Sequence, residues 1–434
     1  MKVSAIAAMY AMFVVAKLSF LFTQRQNSGT PADEVLVALL LPLAAICLGK
    51  YWKSVKLGLA CFIAYELLSL IGILFSPHGG VSQPLAGVVD SLLDAKIIVI
   101  FLAFYSMLRR ARDPKIALRQ VSFILIGLAL INVPFLLLDL FSSGVGFRGQ
   151  QLVARSGFWQ PSGLYFDHVE SSWVALLAFF GSAYLSVERQ SLRYIALTVL
   201  LFAIVVIHFS IKETLVCAAA VVTYALFSKR RSHVVITFSV LPLFMAALFA
   251  LTPIGNMVGA QFGRYTSAES SDYARIALST TSVKIAVDQF PFGSGSGTFA
   301  SAPSYRFGYS DVYRAYGIDG LNGISEDNPN YVTDVFWPKL LGQAGIFGLL
   351  AYALFLWSAY LPALKSHLSR RGPDATVALF VFSAGLVISL ASTPFNHETF
   401  MIPLAFFMAY GKAVYDRRTA PIQRTGFVDS GQQP

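Results

Sequence analysis

Phe290-Pro-Phe-Gly-Ser-Gly-Ser-Gly-Thr-Phe299, followed by the aromatic run Tyr305-Arg-Phe-Gly-Tyr-Ser-Asp-Val-Tyr-Arg-Ala-Tyr316, lies inside the one long polar interval of this 434-residue chain, residues 253–338. On either side the sequence is a succession of apolar runs. An interval of roughly 80 residues far exceeds the ~2–8 residues that usually join packed helices, so it is either functional or disordered. Five aromatic residues between Tyr305 and Tyr316 argue for order, because disordered segments are poor in aromatics. The interval divides the chain into an N-terminal apolar part (1–252), the loop (253–338), a C-terminal apolar part (339–416) and a polar tail (417–434) expected to be disordered.

The solvent for the apolar parts must be lipid. Hydrophobic residues make up 56% of the chain and charged residues 13%, about half the ~25% typical of soluble domains. The first run, Val3 to Phe22, spans about 20 residues with no small-residue cleavage pattern behind it, so it reads as a membrane span and not as a secretory signal. Cys47, Cys61 and Cys217 sit inside apolar runs without paired spacing, which offers neither a disulfide framework nor a zinc site. They read as packing residues, and no metal or other cofactor is expected.

A helix needs about 20 apolar residues to cross a bilayer, and about twelve runs qualify: 4–22, 34–49, 56–75, 88–108, 117–141, 170–187, 192–209, 212–227, 233–252, 339–361, 375–393 and 397–415. The expected fold is all-α, a polytopic bundle of about 12 transmembrane helices with one large external loop between spans 9 and 10. Only Ser210 and Ile211 separate the seventh and eighth runs, which leaves a tight turn or a broken helix there. Lys and Arg concentrate in alternate connections, for example Lys50, Lys53 and Lys56, then Arg109, Arg110 and Arg112, then Lys229, Arg230 and Arg231. By the positive-inside rule both termini and those connections are cytoplasmic, and the long loop is external. The formal charge of +10 is mostly this topological signal, and no nucleic-acid partner is needed to explain it.

Polar residues within the spans are functional candidates by default. Lys96 lies about two turns into the fourth run, with Asp90 and Asp94 on one helix face nearby; snorkelling or a structural ion pair is the competing reading. Lys17, Glu66 and Asp139 fall near run ends and read as interfacial. After the fifth run, Arg155-Ser-Gly and Ser-Gly-Leu-Tyr-Phe-Asp167-His168-Val-Glu170 precede a helix. Asp167 there is a candidate N-cap, while His168 or Glu170 belongs to a candidate external site. His208, Lys212 and Glu213 cluster at the turn before the eighth run.

Within the long loop, Tyr273, Ile276, Thr280, Val283, Val287 and Phe290 recur at helical spacing, a mainly apolar stripe suited to the membrane surface or to the bundle. Arg275 falls in the first turn of that helix, where unpaired backbone N–H groups favour an anion. With Arg264 it forms a candidate diphosphate clamp; pairing with Asp272 or Glu269 is the alternative. Gly293, Gly295 and Gly297 follow no strand and fit neither nucleotide-loop pattern, so they read as a tight turn under the loop.

These segments, in this order around one large external loop, resemble the superfamily of O-antigen ligases and Wzy-type polysaccharide repeat-unit polymerases. The resemblance covers roughly residues 150 to 350. It rests on Arg155-Ser-Gly, Ser-Gly-Leu-Tyr-Phe-Asp, the Lys212 turn, Asp272-Tyr-Ala-Arg275, the 290–299 segment and Gly345-Ile-Phe-Gly348. It implies an integral-membrane glycosyltransferase of the bacterial inner membrane acting on a polyprenyl-diphosphate-linked oligosaccharide, with membrane lipid and other polysaccharide export and chain-length proteins as further partners. Where the ligases carry an Arg at the eighth-type span this chain has Lys212; eleven residues before Gly345, where they carry a His, it has Asp334; and Gln343 replaces a frequent Glu.

Such a transfer needs cations to stabilise the leaving diphosphate and a base near the acceptor hydroxyl. The expected diphosphate set is Arg275, Lys212, Arg264, Arg155 and Lys96. Asp334, His168 and Glu170 are the candidate bases, and Tyr305, Tyr309 and Tyr313 the candidate sugar-stacking faces. An exopolysaccharide or O-antigen polymerase is the first reading. A ligase that moves glycan to lipid A core or another acceptor is the second. A lipid-linked sugar transporter or flippase is the third, disfavoured because no internal repeat is visible.

Overall fold

The computed structural model describes residues 4–23, 32–77, 83–152, 154–155, 158–165, 167–208, 210–227, 271–370 and 372–419. The ninth apolar run, Arg264 and Glu269, and the tail beyond residue 419 lie outside the described residues. Helices dominate, in the order α1 (Ala5–Thr23), α2 (Ala32–Phe75), α3 (Gln83–Arg110), α4 (Pro114–Leu140), α5 (His168–Arg189), α6 (Leu192–Ile207), α7 (Ile211–Phe227), α8 (Ser271–Asp288), α9 (Pro303–Arg306), α10 (Asp311–Ala315), α11 (Trp337–Arg370), α12 (Pro373–Ile388) and α13 (Glu398–Thr419). Two two-residue strands, β1 (Ala154–Arg155) and β2 (Phe158–Trp159), pair antiparallel between α4 and α5. Among the described residues, α2, α4 and α11 are long and apolar enough to cross a membrane, and shorter apolar helices lie at Ala5–Ser19, Leu192–Ile207 and Pro373–Ile388.

The 44 residues of α2 would reach roughly 66 Å if straight, yet both ends meet the same part of α3. Asp33 bonds Lys96 at 2.6 Å, while the Ser69 carbonyl is tied through Ser296 to the Gly87 carbonyl. Gly87 and Lys96 are only about 14 Å apart along their helix. The chain therefore folds back, at Tyr51, where φ/ψ of −119°/20° leave the helical region. Its two arms correspond to the second and third apolar runs.

Local sequence sets several helix ends. Asp113 caps α4 by accepting from the Lys115 N–H ahead of Pro114, and Asp167 caps α5 by accepting from Val169. Asp139, in the last turn of α4, is buried: its carboxylate accepts from the backbone N–H groups of Phe147, Ser162 and Gly163 and so pins the connection between α4 and α5. Cys47 and Cys217 are buried and Cys61 half-buried, all as free thiols.

Residues 271–336 are ordered around an apolar centre of their own. Ala274, Leu278 and Ile285 of α8 pack with Phe299, Val312, Tyr313, Ile324 and Val335. This centre sits on the bundle through the glycine turn. Gly293, Gly295 and Gly297 all take positive φ, and their backbone lies directly against helices: a Cβ on Gly295 would come within 2.4 Å of the Ile73 nitrogen, and one on Gly297 within 2.4 Å of the Ala86 carbonyl carbon. Only glycine permits both the left-handed backbone and that approach.

A buried ion pair locks the same joint. Lys339, in the first turn of α11, donates to Asp90 at 3.0 Å and to Asp94 at 2.7 and 2.9 Å. Gln343 donates to Asp90 and to the Phe299 carbonyl, and the Gly297 N–H also donates to Asp90. The two aspartates thus serve Lys339 and the loop, and Lys96 turns instead to Asp33 and Glu34.

Candidate functional site

Three segments far apart in sequence converge where the loop meets the bundle. The Arg275 guanidinium of α8 donates to the Asp334 carboxylate, just ahead of α11, at 2.8 Å. Asp334 is therefore an acidic partner of Arg275; the alternative partners, Glu269 and the Asp272 side chain, lie outside the described residues. Lys212, at the start of α7, donates to the Ser392 hydroxyl and lies within electrostatic reach of Arg275, Asp334 and Asp167. The side chains of Lys212, Arg275 and Asp334 remain 26–30% exposed, so each is partly desolvated and still open to a ligand.

Burial pushes the Asp334 carboxyl above its ordinary range, and the nearby Arg275 and Lys212 cations oppose that rise without cancelling it. Asp167 behaves in the opposite way. Burial raises it, but the hydrogen bond and charge of His168 and the Val169 N–H outweigh burial and hold it low. His168 Nδ1 stands 2.9 Å from Asp167.

Glu170 belongs to an adjoining cluster. Its carboxylate lies 2.8 Å from His397 Nε2, and Lys17 stands 3.6 Å from Glu170 and 2.9 Å from Glu398. Glu170, His397 and Glu398 present one ligand atom each within 4.8 Å of one another, which is metal-like spacing. The Lys17 ammonium lies among them, and it also donates to Thr399, so the cluster carries its own cation. Trp173 joins the two clusters: its ring meets His397 edge-on at 5.3 Å, and its N–H donates to the buried Glu213, next to Lys212.

Behind these groups lies a closed support. His208 is fully buried, with one ring nitrogen 2.7 Å from the Ile204 carbonyl and the other 2.7 Å from the Ser171 hydroxyl, which in turn accepts from Asn132. Both nitrogens are occupied, so His208 orients α5 against α6. It does not face the site.

The sequence-based candidates are thus sorted by position. Arg275, Lys212, Asp334 and His168 share one region, and Glu170 lies in the neighbouring cluster. Lys96 is held by Asp33 and Glu34 at 2.6 and 2.5 Å, which is the structural ion pair weighed as the competing reading for it. Arg155 is placed in β1 by its backbone alone, and its side chain lies outside the described residues. Tyr313 is fully buried; its hydroxyl accepts from the Ala300 N–H and lies 2.7 Å from the Ser304 hydroxyl, so it is core and not a sugar platform. Tyr309 packs on Tyr313 and donates to the Ile324 carbonyl, with Arg314 over its ring. Tyr305 is half-buried beneath Arg306.

What the sequence reading missed is the segment Ala391 to Thr399, between α12 and the first turn of α13. Ala391 and Ser392 receive Lys212, Asn396 donates to Asp94, His397 meets Glu170, and Glu398 and Thr399 receive Lys17. The available signal was Asn396-His397-Glu398, three polar residues together at the mouth of an apolar run. The chain matches no family model and no curated protein.

Proposed function

We propose that this chain is an integral-membrane glycosyltransferase that joins polyprenyl-diphosphate-linked oligosaccharides, with a repeat-unit polymerase as the first reading and a ligase as the second. In this reading the chain crosses the bacterial inner membrane about twelve times, with both termini cytoplasmic and residues 253–338 external. The observation that carries it is the convergence of Arg275, Lys212 and Asp334 from three distant segments onto one partly open region above an apolar bundle. Two cations beside a carboxylate match what the transfer requires. Charge builds on the leaving diphosphate, which Arg275 grips through two parallel N–H groups and Lys212 meets as a point charge. Asp334, released from Arg275 when the diphosphate takes its place, accepts the proton of the acceptor hydroxyl as the new glycosidic bond forms.

The lipid-linked glycans of cells lacking the chain test this directly. A polymerase leaves single repeat units on the carrier, a ligase leaves long chains, and normal glycans with normal polymer would end the proposal. Purified protein that moves a lipid-linked sugar across liposomes without lengthening it would replace it with transport.

A further inference from the structure

The helix that carries Arg275 is apolar on two opposite faces. One face, Ala274, Leu278 and Ile285, packs into the centre of the loop. The other presents Ile276, Val283, Val287 and, just past the helix end, Phe290, each between 51% and 70% exposed. At 100° per residue these four fall within about 60° of arc, bordered by the exposed Ser279 on one side and by the exposed Thr280, Lys284 and Asp288 on the other. A helix packed on one side and bathed by water on the other shows polar residues at the centre of its outward face; one whose outward face is apolar at its centre and polar at its borders fits an interface with lipid.

The geometry points to lipid. The Phe290 ring lies 5.7 Å from that of Phe347 on α11, two residues past Gly345, where φ/ψ of 64°/−171° break the helix. The 25 residues from there to Arg370 reach about 37 Å, enough to cross a hydrocarbon core of ~30 Å, and their outward residues Phe347, Leu350, Leu354 and Trp357 are about half exposed. The stripe on α8 thus runs without interruption into the lipid-facing side of a membrane-crossing segment. At the same level Phe75, itself 69% exposed at the end of α2, stacks on Phe292 at 5.4 Å.

We propose that the outward face of α8 is immersed in the acyl chains of the adjacent leaflet, as an interfacial helix that anchors residues 271–336 to the bilayer. The helix then does more than close the loop. It holds Arg275 at the border between hydrocarbon and water, where a lipid-borne anion arriving sideways through the membrane first meets a cation. The anchoring itself does not depend on the enzymatic reading.

Single cysteines at Val283, Val287 and Arg314, in full-length protein with Cys47, Cys61 and Cys217 replaced by Ala, test the anchoring after nitroxide labelling in phosphatidylethanolamine–phosphatidylglycerol vesicles. Val283 and Val287 are exposed; the Cys-free background and the Arg314→Cys variant, which removes pairs with Asp311 and Glu326, are first checked for an unchanged thermal unfolding midpoint. Labels at 283 and 287 are expected to collide more with oxygen, which concentrates in hydrocarbon, than with a water-soluble nickel chelate; the label at 314 is expected to show the reverse. If 283 and 287 respond to the chelate as 314 does, the stripe faces water and the proposal falls. Shielding from both reagents means that protein covers the stripe, through a second copy or another part of the chain, and overturns it equally.

Discussion

Asp334 and Arg275 hold each other at 2.8 Å, so each sets the other's chemistry. A base must be ionised to take a proton, and burial raises Asp334 despite Arg275 and Lys212. Its ionised fraction therefore falls away at a higher pH than the ordinary ~3.9 of an aspartate, and the rate of glycan transfer is expected to decline on the acid side above that value. Arg275→Ala removes a cation that opposes the rise, so the acid limb should move to still higher pH. The same change removes charge-assisted hydrogen bonds of ~1.5–3 kcal/mol each, a loss of at least about tenfold in turnover. Asp334→Asn should abolish transfer and leave donor binding, since Asn keeps the shape without the basicity. A pH profile that ignores Arg275→Ala would separate the two residues, and an active Asn variant would move the base to His168 or Glu170. The sequence already pointed to both residues: Arg275 by its place in a first helical turn, and Asp334 through the resemblance, where the ligases carry a His. Their pairing was not legible, since 59 positions of chain separate them and no local rule links them.

Among the elements, the joint between loop and bundle rests on Lys339. Its ammonium is 3% exposed and satisfies two buried carboxylates. Lys339→Met would strand Asp90 and Asp94 without their cation, and losing one partner of a buried pair costs about 3–5 kcal/mol. The thermal unfolding midpoint in detergent should drop clearly, and the triple variant with Asp90→Asn and Asp94→Asn should recover much of the loss. If the single and triple variants melt together, the aspartates have another partner. Sequence periodicity made the apolar runs and the α8 stripe readable, and the glycines announced a turn. It set Asp90 and Asp94 beside Lys96 because helix spacing shows only neighbours on one helix. The true partner, Lys339, lies 245 residues from Asp94. The run Ala391–Thr399 escaped for a related reason: it is too short to show a period, and its importance comes entirely from the helices it touches.

At the scale of the whole molecule, the two ends of the bundle carry different kinds of charge. At one end Lys50 and Arg109 lie over the Tyr51 ring, and Arg417 donates to the Leu108, Arg109 and Ala111 carbonyls that close α3. These are unpaired carbonyls at a helix C-terminus, where the helix dipole favours a cation. At the other end, carboxylates and cations alternate from Arg275 and Asp334 to Glu170, Glu398 and Lys17. In the proposed orientation the Tyr51 end is inside and the Arg275 end outside, as expected where excess Lys and Arg in short connections stays on the cytoplasmic side. A reporter that works only in the cytoplasm is therefore expected to be active when fused after Thr419, and one that works only outside when inserted at Gly320, an open position in the loop whose added Cβ would meet nothing within 4 Å. The reverse pattern would do more than invert the drawing. A cytoplasmic Arg275 would meet lipid-linked sugars before they cross the membrane, alongside nucleotide-activated donors, and joining finished repeat units there would no longer follow from the site's position.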